Sequence, residues 1–561
     1  MRKIYVLVIL TFICSVLLFI FSFVYLDKYN HKTYYYNVSV DGQYAGSTRI
    51  DTFITEERRI YKSASSLPFE ELFTGQKSRL DLDRGYVLQD YQKELSGNGA
   101  AYTFYIENKN DSISFLCRGQ SRFAYLGNMP IWKKTFIFEE DSLLTYLPII
   151  ENYDFKRGGS QGFNSRVCFP YKFIPPLKRF VTLTSIKDEY LKIDRRKIKA
   201  ENLILKIKGY PQGSLWVAKS DRSVLLLEIP SIGLKIIRSF VPKEFKPKER
   251  TVKSDAYVSK DVSFGGKNSQ LAGTLTIPAK EGPSPAVLLI WGAGPHDRDY
   301  MGLFDSMADY LSANGFCVLR FDKRGVASSG GSATSVTADD EYADLAAALG
   351  FLASQKDVNG QQIAVIAHSE GAFNALKLAS ENGNIKKVVL MAPSIYPEGK
   401  FSEEYLRYIA EKWKWGEDYI SLVKMCEKET AGKAGASKQD WGYIMGKRCY
   451  LKNLRPDASA SSTGVINSVA ASVLILCGKL DDEMPPQSAQ SIDKALADSG
   501  NQDHSIRYYS YLGHFLGKKT SDGIYRTRYE PDKEVLANIK DWLNAPVKEP
   551  LKKDISLTGA K

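Results

Sequence analysis

The stretch Ala364-Val365-Ile366-Ala367-His368-Ser369-Glu370-Gly371-Ala372 decides the fold of the C-terminal half. Its apolar residues run as a buried strand directly into Ser369, and a helical pattern follows near Ala372 to Ser380. A turn this sharp needs small residues two positions either side of the serine, and Ala367 and Gly371 supply them. The geometry lifts the hydroxyl above the sheet and starts a helix behind it, whose N-terminus favours developing negative charge. The string alone is weak evidence, because small residues and serine are common. The flanking strand and helix make it a nucleophile elbow.

Working outward, strand-like apolar runs alternate with helical spacing, the signature of βαβ units and a parallel sheet. Ala286 to Trp291, Phe316 to Phe321, Ile363 to Ala367, Val388 to Met391, Val473 to Cys477 and Ile506 to Tyr511 read as the strand series. Leu303, Met307 and Leu311 recur at helical spacing before Asn314-Gly315, and Ala338 to Ser354 is a second helix. Val258 to Phe264 and Leu271 to Ile277 suit an opening hairpin, and Val535, Leu536, Ile539, Trp542 and Leu543 line one face of a closing helix. The spacing therefore predicts an α/β domain over 255–548, a mostly parallel sheet flanked by helices.

A serine hydroxyl is a poor nucleophile until a base takes its proton. The chain has five histidines. His31 lies far upstream, His368 sits inside the elbow, His296 follows another strand and His504 precedes one. His514, in Leu512-Gly513-His514-Phe515, follows the last core strand, where this fold places its base. Asp481, in Gly478-Lys479-Leu480-Asp481-Asp482-Glu483-Met484-Pro485, stands at a strand's carboxyl end and suits the third role better than Asp482. The order Ser369, Asp481, His514 is the α/β-hydrolase order. Against each stands a plainer reading: a surface histidine, a solvated acidic turn. For the oxyanion, the expected donors are the Glu370 amide and the Ala293 amide in Gly292-Ala293-Gly294-Pro295, with Gly294 in reserve. Each such donor is worth about 3–4 kcal/mol in a transition state.

Trp291-Gly292-Ala293-Gly294-Pro295-His296-Asp297-Arg298-Asp299, Arg320-Phe321-Asp322-Lys323-Arg324-Gly325-Val326-Ala327-Ser328-Ser329-Gly330-Gly331 and Ala367-His368-Ser369-Glu370-Gly371 resemble three ordered motifs of EstD-like bacterial carboxylesterases of the α/β-hydrolase superfamily. The resemblance covers about Tyr257 to Leu543 and implies ester hydrolysis through an acyl-enzyme, with no cofactor and no metal. Trp291 stands where histidine is common, Ala293 replaces serine, and Ala327 and Ala367 replace glycine. Asp297, Arg298, Asp322 and Arg324 read as loop-organising ion pairs. Two rivals keep the triad: a thioesterase or acyltransferase, and a serine peptidase. A third, of another class, is an envelope binding protein with a vestigial hydrolase domain.

From Pro393 to about Pro456 runs a stretch rich in Tyr, Trp and Lys; this helical insertion, around 394–460, is expected either to cap the site or to pack as a helix pair on the rim. Upstream the texture changes. Residues 33–240 show short alternating strands with polar turns, a β-rich antiparallel domain. The charged segment 241–254, with Pro242 and Pro247, reads as a linker. Ile4 to Leu26 carries no charge and no proline and reaches about 34 Å as a helix, enough for a ~30 Å hydrocarbon core. Residues 1–28 are thus expected to be an uncleaved signal anchor, one N-terminal transmembrane helix. Arg2 and Lys3 would remain inside and the catalytic domain would lie on the extracytoplasmic side.

The formal charge of +12 invites anionic partners. Its densest runs, Arg195-Arg196-Lys197-Ile198-Lys199 and Lys246-Pro247-Lys248-Glu249-Arg250, are short and bordered or interrupted by acids. A solvated surface accounts for them better than a nucleic-acid site. The partners expected are a small-molecule ester or acyl substrate and a membrane, with no nucleic acid. Six cysteines beyond the anchor form no metal pattern. Cys117 with Cys168 and Cys426 with Cys449 are the pairs open to an oxidising compartment.

Overall fold

The computed structural model describes residues 30–547 except 41, 67–74, 98–99, 110–111, 119–123, 131–133, 140–141, 170–173, 209, 241–253, 334, 395–402, 413–414, 436–440, 445–446, 451–461 and 522–526. The anchor expected over 1–28, nearly all of the linker and about half of the insertion therefore lie outside the described residues, as do the side chains of Cys117 and Cys449. Among the described residues no helix is long and apolar enough to cross a membrane.

Eight strands form the C-terminal sheet: β1 (Tyr257–Gly266), β2 (Ser269–Pro278), β3 (Ser284–Ile290), β4 (Cys317–Phe321), β5 (Val358–His368), β6 (Ile385–Met391), β7 (Ser472–Gly478) and β8 (His504–Tyr509). Their order across the sheet is β1-β2-β4-β3-β5-β6-β7-β8. β2 runs antiparallel to both neighbours, and β4, β3, β5, β6, β7 and β8 are mutually parallel. Strands covered on both faces need apolar residues at consecutive positions. One row crosses the sheet as Leu319, Leu288, Val365, Val388 and Val473, each fully buried. Each such side chain contributes roughly 1.5–3 kcal/mol by leaving water. Helices α1 (Leu303–Ala313), α2 (Ala338–Ala353), α3 (Gly371–Glu381), α4 (Glu403–Lys412), α5 (Glu417–Gly435), α6 (Ser462–Asn467), α7 (Pro486–Asp498) and α8 (Lys533–Asn544) follow in chain order. A capping box starts α2: Thr337 Oγ1 accepts from the Asp340 amide while the Asp340 carboxylate accepts from the Thr337 amide.

The N-terminal sheet has fifteen strands, from Asn30–Val40 to Leu234–Ser239, and its first strand pairs with its last. Each other strand lies beside its neighbour in sequence. Pairing is antiparallel throughout except between Phe136–Phe138 and Ser160–Phe169. One face is apolar at every second residue. A single row reads Thr52, Tyr61, Leu80, Tyr91, Ile106, Phe115 and Gly127 across seven strands. The helix Leu143–Asn152 has every residue from Leu143 to Ile150 buried, as a helix apolar on all sides must be. Its alternation-free pattern gave no helical signal amid the strands. The Lys93 ammonium and Glu139 carboxylate are also buried, paired at 2.8 Å.

Two further features depart from expectation. A hairpin, Gly517–Ser521 with Thr527–Pro531, follows the His514 loop. The described part of the insertion packs largely on the N-terminal sheet. Leu406, Ile409, Ala410, Trp415, Tyr419, Ile420, Val423 and Cys426 are buried in one apolar cluster with Tyr61, Phe115 and Val181. The Arg179 guanidinium, on strand Ile174–Ile193, donates to the Trp415 carbonyl at 2.9 Å. α4 and α5 thus sit in the core of the other half, a contact that neither the cap nor the rim alternative included.

Candidate active site

β5 ends at His368, and Ser369 follows in the left-handed region with φ +51°, before α3 begins at Gly371. A non-glycine residue in that region stores backbone strain, which the surroundings must hold. They do so here by main-chain bonds. The Ser369 amide donates to the Met391 carbonyl at 2.9 Å, and the Ser369 carbonyl accepts from the Ala372 and Ser394 amides at 3.1 and 3.0 Å. Gly371 is required by close approach, since an added Cβ would lie 2.5 Å from the Trp291 carbonyl oxygen.

Asp481 and His514 come from the loops after β7 and β8, at the same carboxyl edge of the sheet. His514 Nδ1 lies 3.0 Å from Asp481 Oδ2, and both side chains are buried. Asp481 Oδ1 accepts the Glu483 and Met484 amides at 2.8 and 2.7 Å, so the carboxylate is fixed on both oxygens. The Tyr408 hydroxyl, on α4, donates to the Asp481 main-chain carbonyl. His514 Nε2 faces Glu483 Oε2 at 3.6 Å. Burial pushes the imidazolium of His514 down, but Glu483 and Asp481 outweigh it and hold the group up to about 9. Among the described residues no hydrogen bond joins Ser369 Oγ to His514 Nε2; such bonds are often long before substrate arrives.

His368 was set aside as a base from sequence, and its orientation shows another use. Burial lowers its pKa well below the usual histidine value, so the ring is neutral. Its Nε2 lies 3.0 Å from the His514 carbonyl, which can only accept, so the proton sits on Nε2. Nδ1 then accepts from the Tyr300 hydroxyl at 2.8 Å, and Tyr300 in turn accepts from the Gly292 amide at 3.1 Å. This relay ties the loop after β3 to the loop bearing His514. The Phe515 ring stacks on His368 at 5.0 Å and on Tyr529 of the hairpin at 3.8 Å. Neither the relay nor Tyr408 carries a motif. Their only signal in sequence was a polar ring beside the elbow and an aromatic-rich insertion.

The Gly292 backbone packs against the nucleophile: an added Cβ would lie 3.0 Å from Ser369 Cβ. Its amide is taken by Tyr300, and Ala293, the next residue, is exposed. Glu370 occupies the N-cap of α3. The loop ions pair as their types suggest. Arg298 makes a two-pronged bond to Asp322, at 3.1 and 2.8 Å, and Arg324 Nε bonds Asp344 at 2.8 Å. Asp297 accepts the Asp299 and Tyr300 amides. Among the described residues no group of three or more His, Cys, Asp or Glu side chains is placed to hold a metal.

A mostly parallel sheet in this order, with a serine elbow after its fifth strand, gives the C-terminal half the α/β-hydrolase fold. A family described as serine aminopeptidase, S33, matches residues 283–517. Esterase EstD of Thermotoga maritima is 26% identical over 300 residues, 52% of this chain and 69% of the relative. Solved structures that align include the Pyrococcus furiosus esterase Pf2001, at 18% identity over 54% of this chain and 96% of that one, with a TM-score of 0.35. Est1E from Butyrivibrio proteoclasticus aligns at 14% identity over 50% and 97%, with a TM-score of 0.34. Overlaps at such scores add nothing to the fold, which rests on the strand order.

Proposed function

We propose that the protein cleaves carboxylic esters through an acyl-enzyme, with Ser369 as nucleophile, His514 as general base and Asp481 as its orienting carboxylate. The observation that carries this reading is the strained Ser369 at the sheet edge where the buried His514–Asp481 pair also stands. In it, His514 Nε2 takes the Ser369 proton as the hydroxyl oxygen bonds to the ester carbonyl carbon. The Glu370 and Ala293 amides hold the resulting oxyanion. The imidazolium returns the proton to the departing alcohol. Water, deprotonated by His514, then releases the acid and frees Ser369. Asp481 fixes the Nδ1–H tautomer throughout.

The test is fluorophosphonate labelling of the full chain together with nitrophenyl ester turnover. Wild type should label and turn over, and Ser369→Ala should do neither while remaining folded. A folded wild type that fails to label favours the binding-protein reading with a vestigial hydrolase half. The serine aminopeptidase description of the matching family favours a peptidase as the second reading. Brisk cleavage of peptide amides without ester turnover would establish it over ours; acyl-CoA tested alongside covers the thioesterase and acyltransferase alternative.

For location, we propose a single-pass membrane protein with both large sheets on the extracytoplasmic side. Its support is the uncharged Ile4–Leu26 run and the start of the first strand at Asn30, four residues beyond it. Protease added to intact cells should digest the protein only after the outer barrier is opened. Digestion requiring lysis of the inner membrane would reverse the orientation.

A further inference from the structure

The helix α4 serves both halves of the molecule. One face places Leu406, Ile409 and Ala410 in the apolar cluster of the N-terminal sheet, all buried. Tyr408, half-buried on the same helix, donates its hydroxyl proton to the main-chain carbonyl of Asp481. α5 secures the arrangement. Trp415, just before it, accepts from Arg179 of the long strand Ile174–Ile193, and Ile420, Val423 and Cys426 enter the same cluster. The path from the N-terminal sheet to the triad is therefore short and contiguous: sheet core, α4, one phenol, the Asp481 backbone, the His514 ring.

We propose that the N-terminal sheet sets the position of the catalytic carboxylate through α4, with Tyr408 as the positioning residue that makes the contact. The physical argument is one of degrees of freedom. The Asp481 side chain is held by two amides of its own turn, which travel with it. That turn must itself be fixed relative to His514, which comes from a different loop. The Leu480 amide ties the turn to the His514 loop through the Leu512 carbonyl at 2.9 Å, and the Tyr408 hydroxyl braces the same turn from α4. A misplaced orienting group costs rate far more than it costs binding, because orientation acts in the transition state. Tyr408 also sits beside negative charge. Burial first, then Asp481 and Asp482, push its phenol up to about 12, so it keeps the proton it donates across the working range.

The inference rests on the Ser369–Asp481–His514 reading, and the experiment separates the two. Full-chain wild type, Tyr408→Phe, Arg179→Met and the double variant are compared for labelling, kcat, KM, the pH profile of kcat/KM and melting temperature. Tyr408→Phe keeps the ring and loses only the hydroxyl. It should lower kcat about fivefold to tenfold, the scale of one lost hydrogen bond, with KM within twofold. Its acid limb of kcat/KM should move to lower pH, as Asp481 supports the His514 imidazolium less well. Arg179→Met, in the other half of the molecule, should produce a smaller fall of the same kind. The double variant should be no slower than Tyr408→Phe, since both act on one path. Should Arg179→Met fail to fold, Ile420→Val replaces it with the same expectation. A Tyr408→Phe enzyme with wild-type kcat and pH profile overturns the coupling, as do two effects that multiply independently. If Ser369→Ala retains activity, the triad reading itself has failed, whatever Tyr408 does.

Discussion

In the eight-stranded sheet six neighbouring strands run one way, so the loops after β5, β7 and β8 all open at one edge. In the fifteen-stranded sheet direction alternates at nearly every step, and successive turns fall at opposite ends. The first arrangement brings the loops bearing Ser369, Asp481 and His514 to one edge; the second disperses its turns between two ends. There the Glu151 carboxylate accepts from Tyr61, Tyr86 and Arg59, and Lys93 pairs with Glu139. Polar clusters in the two sheets thus look alike in composition, and the His514–Asp481 pair is the one that shares its sheet edge with the strained Ser369. Topology decides which of them is available for chemistry.

The largest effect that would sharpen this contrast is at the parallel edge. Asp481→Asn keeps the shape and loses the charge that selects the His514 tautomer, and ester turnover should fall by about 10⁴-fold with the melting temperature nearly unchanged. A fall of less than tenfold would remove Asp481 from the triad. Next, Lys93→Met strands the buried Glu139 charge, and urea unfolding should show a loss of about 3–5 kcal/mol. The paired change Lys93→Met with Glu139→Leu should regain most of it. A single variant as stable as wild type would mean that the cluster does not hold the antiparallel core.

The smallest effect concerns pH. His514 is held up to about 9 against an ordinary value of about 6.5. Its protonation therefore stabilises the fold fully below about 6.5, and that contribution is lost as pH rises through about 9. The base must be neutral to act, so kcat/KM should climb with pH toward 9. Glu483→Gln removes the nearest exposed carboxylate from Nε2. The acid limb should move down and the rate at pH 7 rise severalfold, which a pH–rate profile of the two enzymes shows directly. An unchanged limb would mean that solvent screens Glu483 from the ring.

What was legible follows from the same difference. The expected runs Ala286 to Trp291 and Val473 to Cys477 lie within two residues of the bounds of β3 and β7, because continuous apolar stretches punctuated by helices leave little choice of pairing. The elbow was legible because local steric demands, small residues at Ala367 and Gly371, are written in adjacent positions. The bond of the His368 ring to the His514 carbonyl was not legible, because it depends on a partner 146 residues away. Tyr408 was invisible for the same reason. Alternation over residues 33–240 showed strands but not their number or the pairing of the first with the last, since each hairpin specifies only its neighbour. The buried helix Leu143–Asn152 was lost among them, its apolar residues too continuous to show a stripe.

The placement of α4 and α5 bears on how the chain is made. On a ribosome the strands Asn30–Val40 and Leu234–Ser239 are both available once residue 239 has emerged, yet the cluster they enclose still lacks Leu406 through Cys426. At 5–20 residues per second those helices arrive roughly 10–40 s later. The earlier-made half must wait with an open apolar face until the chain has been made through Cys426, so its maturation depends on synthesis well into the later half and on whatever shields that face meanwhile.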